Sequence, residues 1–286
     1  MLAGKIAKEA LLLARELARE GYPLLELAEK VEGLIRSRGA KCAFPINICL
    51  NSQAAHYTPA DGDRLRFVRG DLVKLDVGVH VNGFIADTAT TVEISTSNWT
   101  SLIRASADAL DAALEMIAPG IEVGAIGGAI ENAILASGFR PVRNLTGHSM
   151  ERNNLHAGIT VPNIASKDRS KLLPGMAVAI EPFATDGKGE VGDGKNGNIY
   201  RVVREHGILG GSDRFLEALV REFDHLPFAS RWCASIDKNY PTLLKKNWMH
   251  RKIHGYPILT EVASGMVSQA EHSVLILDDE VIVYTR

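Results

Sequence analysis

Five residues set in apolar or glycine-rich surroundings carry side chains that bind divalent cations: Asp76, Asp87, His148, Glu181 and Glu271. The first two flank Asn82-Gly83, the strongest short signal for a two-residue hairpin turn. Such a turn sets Val81 opposite Phe84 and Gly78 opposite Asp87, and Asp76 lies two residues from Gly78 on the same face. The two carboxylates are then diagonal neighbours, with Cβ atoms roughly 6 to 7 Å apart, close enough to contact one cation or bridge two. Asp is depleted in strands, and both aspartates interrupt runs of Val, Ile and Leu, so a solvated polar face is the weaker account. Buried carboxylates with no Lys or Arg paired to them need a metal or a proton. His148 stands in LTGHSM, Glu181 in VAIEPF and Glu271 in SQAEHSVLIL; taken singly, each has an ordinary structural reading. Together with the aspartates they form an oxygen-rich donor set that suits two divalent ions such as Mn, Fe, Co or Zn with a bridging water. Thiolates do not enter, because Cys42, Cys49 and Cys233 are odd in number and lack C-x-x-C spacing.

The elements that must position these groups come in two similar runs. Ile6, Ala10, Leu13, Ala14 and Leu17 follow a helical period that Gly21 ends, and a second helix opens at Pro23 and buries Leu24, Leu27, Ala28, Val31, Leu34 and Ile35 before Gly39. From Asp71 to Ile94 the pattern turns β-branched and alternating. The order restarts near Asn98: Leu102, Ala105, Ala109, Ala113 and Met116 make a stripe ended by Pro119-Gly120, and Ile126, Ile130, Ala133 and Ile134 make another. Extended segments follow around 140–142, 156–161, 177–183 and 273–277. This predicts an α/β (α+β) chain of two pseudo-symmetric halves in one domain spanning 1–286. The five glycines of 187–197 read as a loop, and the helical pattern at Phe215, Leu216, Leu219, Val220 and Phe223 reads as an inserted helical subdomain over about 199–256.

Composition narrows the partners. Of 286 residues 46% are hydrophobic and 23% charged, which suits a globular chain and excludes disorder. A net charge of -2 gives no long-range attraction to nucleic acid or an anionic membrane. Apolar stretches such as Ala10 to Ala14 fall far short of a bilayer span, and the first twenty residues lack the features of a secretion signal, so a cytoplasmic protein is expected.

Asp76, Asp87, His148, Glu181 and Glu271, in this order and spacing, resemble the dinuclear metal set of the methionine aminopeptidases. AFPINICLNSQAAHYTP at 43–59, KLDVGVHVNGFIADTATTV at 74–92, NLTGHSMERNNLHAG at 144–158 and EHSVLIL near the end are similar to that family's blocks, so the likeness covers nearly the whole chain. The roughly 90 residues between Glu181 and Glu271 resemble the insertion of the type 2 enzymes, and with no basic amino-terminal extension the chain looks like their compact archaeal kind. The resemblance implies a pita-bread fold and removal of the initiator methionine from nascent proteins when the second residue is small. It implies that Asp76 chelates one metal, His148 and Glu181 the other, and that Asp87 and Glu271 bridge. It also implies that His56 and His156 contact substrate as hydrogen-bond donors, and that Phe44 and Tyr256 wall an apolar pocket for the methionine thioether. The implied partners are nascent polypeptide termini near the ribosome, met by a monomer that requires neither nucleic acid nor membrane. One departure is Ala270, where relatives place an aromatic residue before the glutamate.

Two other readings compete. A prolidase or aminopeptidase P on the same fold usually carries a large domain ahead of the catalytic one, whereas helical pattern begins here at residue 4. A non-enzymatic binder of ribosomes or RNA on this scaffold loses metal ligands, and here all five stand.

Overall fold

A computed structural model describes residues 1–203 and 213–286. Its first half packs helices α1 (Leu2–Leu17) and α2 (Leu24–Ser37) on a long hairpin, β4 (Leu72–Val81) and β5 (Phe84–Glu93). The hairpin has the predicted register, with Val81 opposite Phe84, Gly78 opposite Asp87 and Asp76 opposite Ala89. Along its other edge β4 pairs with β1 (Lys41–Cys42) and β2 (Asn47–Leu50), which sets Asn47 opposite Asp76. Pro23 caps α2 from outside, its extended backbone fixing the entry, while Leu24, Leu27, Ala28, Val31 and Ile35 are buried as the period requires.

The second half repeats the plan. Helices α3 (Thr100–Met116) and α4 (Val123–Ala136) share a core with a sheet whose order is β16 (Val281–Val283), β15 (His272–Ile276), β9 (Ala177–Ile180), β7 (Thr146–Met150) and β8 (Thr160–Pro162). Met116 belongs to the predicted stripe but is 40% exposed, because it lies in the last turn, past the sheet that covers Ala113. A three-stranded sheet of β14 (Val267–Gln269), β10 (Phe183–Thr185) and β6 (Arg140–Pro141) completes this half. His156 lies in the loop before β8, so the extended segment predicted from it begins only at Thr160.

The glycine-rich stretch is strand where a loop was predicted. Val191–Val202 forms β11 and pairs with β13 (Ile253–Glu261), through register shifts between Asp193 and Ile199. β13 pairs in turn with β3 (Gln53–Ala55). The glycines serve close backbone approach: a Cβ on Gly197 would lie 1.9 Å from the carbonyl oxygen of His56, and one on Gly194 2.9 Å from that of Ile258. Part of the predicted insertion, 204–212, lies outside the described residues. The rest holds α5 (Arg214–Phe223), β12 (Phe228–Ala229), a 3-10 turn at Ser230–Ser235 and α6 (Tyr240–Met249), with its own core of Phe215, Leu219, Phe228, Cys233 and Leu244. No described helix is long and apolar enough to cross a membrane.

The contrast between two β11 glycines is testable. Gly197→Ala is expected to lower stability by about 1 to 3 kcal/mol, since the methyl group meets backbone that cannot turn aside. Gly192→Ala, whose Cβ would meet only a Val262 methyl group at 3.6 Å, is expected to stay within about 0.5 kcal/mol of wild type. Urea unfolding of both variants decides it, and equal stabilities would remove the close-packing account.

Candidate metal centre and active site

The five cation-binding residues reach one point from both halves. Asp76 and Asp87 project from the β4–β5 hairpin, His148 from β7, Glu181 from the end of β9 and Glu271 from the approach to β15. A seam of short contacts joins the halves there. Ala89 and Glu271 exchange backbone hydrogen bonds at 3.4 and 3.0 Å, and the Thr88 hydroxyl donates to the Glu271 carbonyl at 2.9 Å. Ser273 Oγ accepts from Asp87 N–H at 2.9 Å and donates to the Asp87 carbonyl at 2.8 Å. Each functional carboxylate in the seam is thereby fixed at its backbone, with its side chain left free for a ligand.

Asp76, Asp87 and Glu271 present carboxylate oxygens that all lie within 4.8 Å of one another. His148 Nε2 lies 3.7 Å from Asp87 Oδ2 and 3.5 Å from Glu181 Oε1. Asp87 is therefore common to two groupings, one with Asp76 and Glu271, the other with His148 and Glu181. Asp76 Oδ1, Asp87 Oδ1 and His148 Nδ1 are buried and without hydrogen-bond partners among the described residues. Like charges gathered in a dry site cannot all ionise. Burial pushes Asp76 up to about 7 and, with neighbouring carboxylates adding, holds Asp87, Glu181 and Glu271 well above the usual carboxylate range. Burial lowers His148 to about 3, keeping its imidazole neutral and able to donate a lone pair. Lys74, two residues from Asp76, is fully buried, but its Nζ donates to the carbonyls of Asn51 at 2.6 Å and Leu72 at 3.3 Å and does not neutralise the cluster. Unpaired oxygens, one neutral imidazole and no cation in contact fit divalent metal ions.

All nine residues singled out in the sequence line a single cavity of about 230 Å3: the five above with Phe44, His56, His156 and Tyr256. The same cavity has apolar walls that sequence reasoning missed, among them Leu145, Leu155, Phe183, Pro227 and Leu259. Nothing local distinguishes them from ordinary core, and only the fold brings them here. Gln269 was missed too. Its Nε2 lies 3.4 Å from both Asp76 Oδ2 and Glu271 Oε2, and the signal lay in the SQAEH segment, where it precedes Glu271 by one strand period. Ala270 points the other way, packs on the second-half core and donates its N–H to the Pro182 carbonyl at 3.2 Å.

His56 holds a left-handed backbone, φ 70°, with its N–H on Asn47 Oδ1 at 2.6 Å and its ring Nδ1 3.2 Å from the Pro257 carbonyl. That carbonyl can only accept, so Nδ1 carries the hydrogen. Burial lowers the ring to about 4, so at neutral pH its Nε2 is an acceptor. The expected donor role is thereby corrected for His56. The His156 ring lies 4.3 Å from that of His148 and is kept neutral chiefly by burial.

Residues 2–211 match the profile of metallopeptidase family M24. The chain belongs to that family. It is 44% identical to a methionine aminopeptidase of Pyrococcus abyssi, covering 99% of this metallopeptidase and 97% of that relative. The solved methionine aminopeptidase of Thermotoga maritima superposes with a TM-score of 0.71 at 22% identity, over 100% of this chain and 94% of that one. The expected pita-bread fold holds. A prolidase of Pyrococcus furiosus superposes with a TM-score of 0.65 at 19% identity, and this metallopeptidase covers only 62% of it. Its site accordingly takes divalent metal ions.

The raised carboxylates give a sign to the pH dependence. Protons that they retain in the folded, metal-free state stabilise it relative to the unfolded chain, and this contribution is lost as pH rises through the folded value, about 7 for Asp76. A bound cation removes that loss. The melting-temperature gain on adding Mn2+ to chelated protein is therefore expected to grow between pH 6 and pH 8. A gain that stays constant or shrinks over that range would show the carboxylates to be ionised without metal.

Proposed function

We propose that this metallopeptidase removes the amino-terminal methionine from nascent polypeptides in the cytoplasm when the second residue is small, using two divalent ions. The observation that carries this is the meeting, in one cavity, of five metal-type donors, two non-ligand histidines and an apolar wall. Asp76 would hold one ion, His148 and Glu181 the other, and Asp87 and Glu271 both; the place of Asp87 in both groupings supports that assignment. Divalent metal in such a site supplies Lewis acidity, which makes water a nucleophile near neutral pH and polarises the scissile carbonyl.

The chain's own groups do the rest. His56 Nε2, an acceptor held in place by Pro257 and Asn47, takes a hydrogen bond from an N–H of the substrate at the scissile bond. His156, beside His148, is placed to donate to oxygen that gains charge as the carbonyl is attacked. Phe44 packs against Gly78, where a Cβ would lie 2.2 Å from its ring, so the absence of a side chain on β4 sets how deep the pocket runs. Phe44 and Tyr256, with neighbouring apolar walls, give a thioether polarisable contact and give a charged side chain nothing to pair with. The ions sit beside the pocket, so a bulky second residue collides near the scissile bond, and rejection of it is steric.

Asp87→Asn is expected to reduce hydrolysis of a Met-Ala-Ser peptide at saturating Mn2+ to below roughly a tenth of wild type, since an amide cannot neutralise two cations; this deserves pairing with a circular-dichroism check of folding. Retained activity would remove Asp87 from the shared position. His56→Ala and His156→Ala are each expected to cost roughly 10²-fold in kcat with metal content unchanged. Metal loss in either variant would make that residue a ligand.

Specificity tests the reading as a whole. Across a Met-Xaa-Ser series kcat/KM should be high for Gly and Ala and low for Leu and Lys. Faster cleavage of Xaa-Pro peptides with first residues other than methionine would replace this function with a prolidase.

A further inference from the structure

A second cavity of about 380 Å3 adjoins the catalytic one and shares Leu155, His156, Pro227 and Tyr256 with it. Its other walls are polar: Asn153, Asn154, Arg201, His225 and His254. A strand ladder connects the two. On β11 and β13 the pair Ile199–Tyr256 lines the catalytic cavity, and Arg201–His254, the pair two residues along on the same face, reaches the outer one. The rings of His56, Tyr256 and His254 follow one another edge-on, with centroids 5.2 and 5.0 Å apart. Two residues of strand advance about 7 Å, as does an extended peptide over two residues. A substrate whose first residue lies against Tyr256 therefore carries its third and fourth residues past Arg201.

The charge of this outer wall is one-sided. Arg201 is exposed and makes no ion pair among the described residues. The carboxylates acting on the same wall are Asp193, whose charge reaches His56 and His254, and Asp224, 3.7 Å from His225 Nε2. Neither pairs with the guanidinium. His225 Nδ1 is buried and without a partner. An arginine fork matches a carboxylate in shape and charge, and no such group of the described chain occupies it.

We propose that the outer cavity is a subsite for the third and fourth residues of the substrate, in which Arg201 selects an acidic side chain. The inference rests on the aminopeptidase reading above. The terminal carboxylate of a short peptide offers the same chemistry, but a growing chain presents side chains only, so the acidic side chain is the ligand.

The test compares metal-loaded wild type, Arg201→Gln and Arg201→Glu on amide-terminated Met-Ala-Xaa-Ser and Met-Ala-Ser-Xaa peptides, with Glu, Gln or Lys at Xaa, at low and high salt. Wild type is expected to favour Glu over Gln about two- to fivefold in kcat/KM at low salt, a margin that salt erodes because the pair is solvent-exposed. Arg201→Gln should abolish the preference, and Arg201→Glu should invert it toward Lys. Equal rates on Glu and Gln peptides in wild type, or a Glu preference that survives Arg201→Glu, overturns the subsite. A gain seen only when Met-Ala-Ser carries a free terminal carboxylate overturns it as well. Failure of the loaded wild type to cleave even the Gln peptides would instead bring down the aminopeptidase reading, and the subsite with it.

Discussion

Four carboxylates and an imidazole brought into a dry interior repel one another and lose their hydration, and each unit by which a carboxyl is raised measures about 1.4 kcal/mol of opposition to its charge. The arrangement persists without a counter-cation because the backbone holds it. The hairpin presents Asp76 and Asp87 from a ladder paired along its full length, and the second half closes over it through the Ala89–Glu271 bridge and the Ser273–Asp87 pair. Thr91 repeats the clamp two residues away, donating to the Gln269 carbonyl at 2.7 Å and accepting from its N–H at 2.8 Å. Rigid strands rather than loops carry the donors, which is what a preorganised metal site requires.

The same constraint accounts for the glycines and the strained histidine nearby. His56 reaches the cavity only by adopting φ 70°, a conformation disfavoured for a residue with a Cβ, and it is held there by Asn47 on one side and by β13 on the other. Gly197 then has to be glycine, because its backbone lies directly against the His56 carbonyl. A long antiparallel ladder thus supports a catalytic group at one point and walls the substrate path at the next, and the helical insertion grows from the end of that ladder.

Much of this was legible because it rests on local signals. Asn82-Gly83 fixes the hairpin register by turn geometry alone, so the diagonal placement of Asp76 and Asp87 followed from counting residues. The helical stripes of α1 to α4 followed from their period, and failed at Met116, where the helix outruns the sheet beneath it. The stretch 187–197 was misread because glycine signals a turn and a close approach equally well, and which of them holds depends on β13, more than fifty residues away. The direction of the His56 hydrogen bond was likewise hidden, since it is set by a carbonyl 201 residues distant in sequence. The convergence of His148, Glu181 and Glu271 on the hairpin was legible only through family resemblance, because no spacing rule links separate strands.

Cavity shape explains why such a centre acts at chain ends. The apolar walls beside the ions enclose about 230 Å3, room for one side chain and its backbone, and no channel through Phe44 and the β4 surface beneath it continues the path upstream of the scissile bond. A polypeptide interior would need an exit on both sides of the reacting bond. The described walls open on one side only, through Tyr256 and Pro227 toward Arg201 and His254. A free amino terminus is therefore the one part of a chain that fits with its backbone leaving in the available direction, and removal of a single residue follows from packing before any chemistry of the ions is considered.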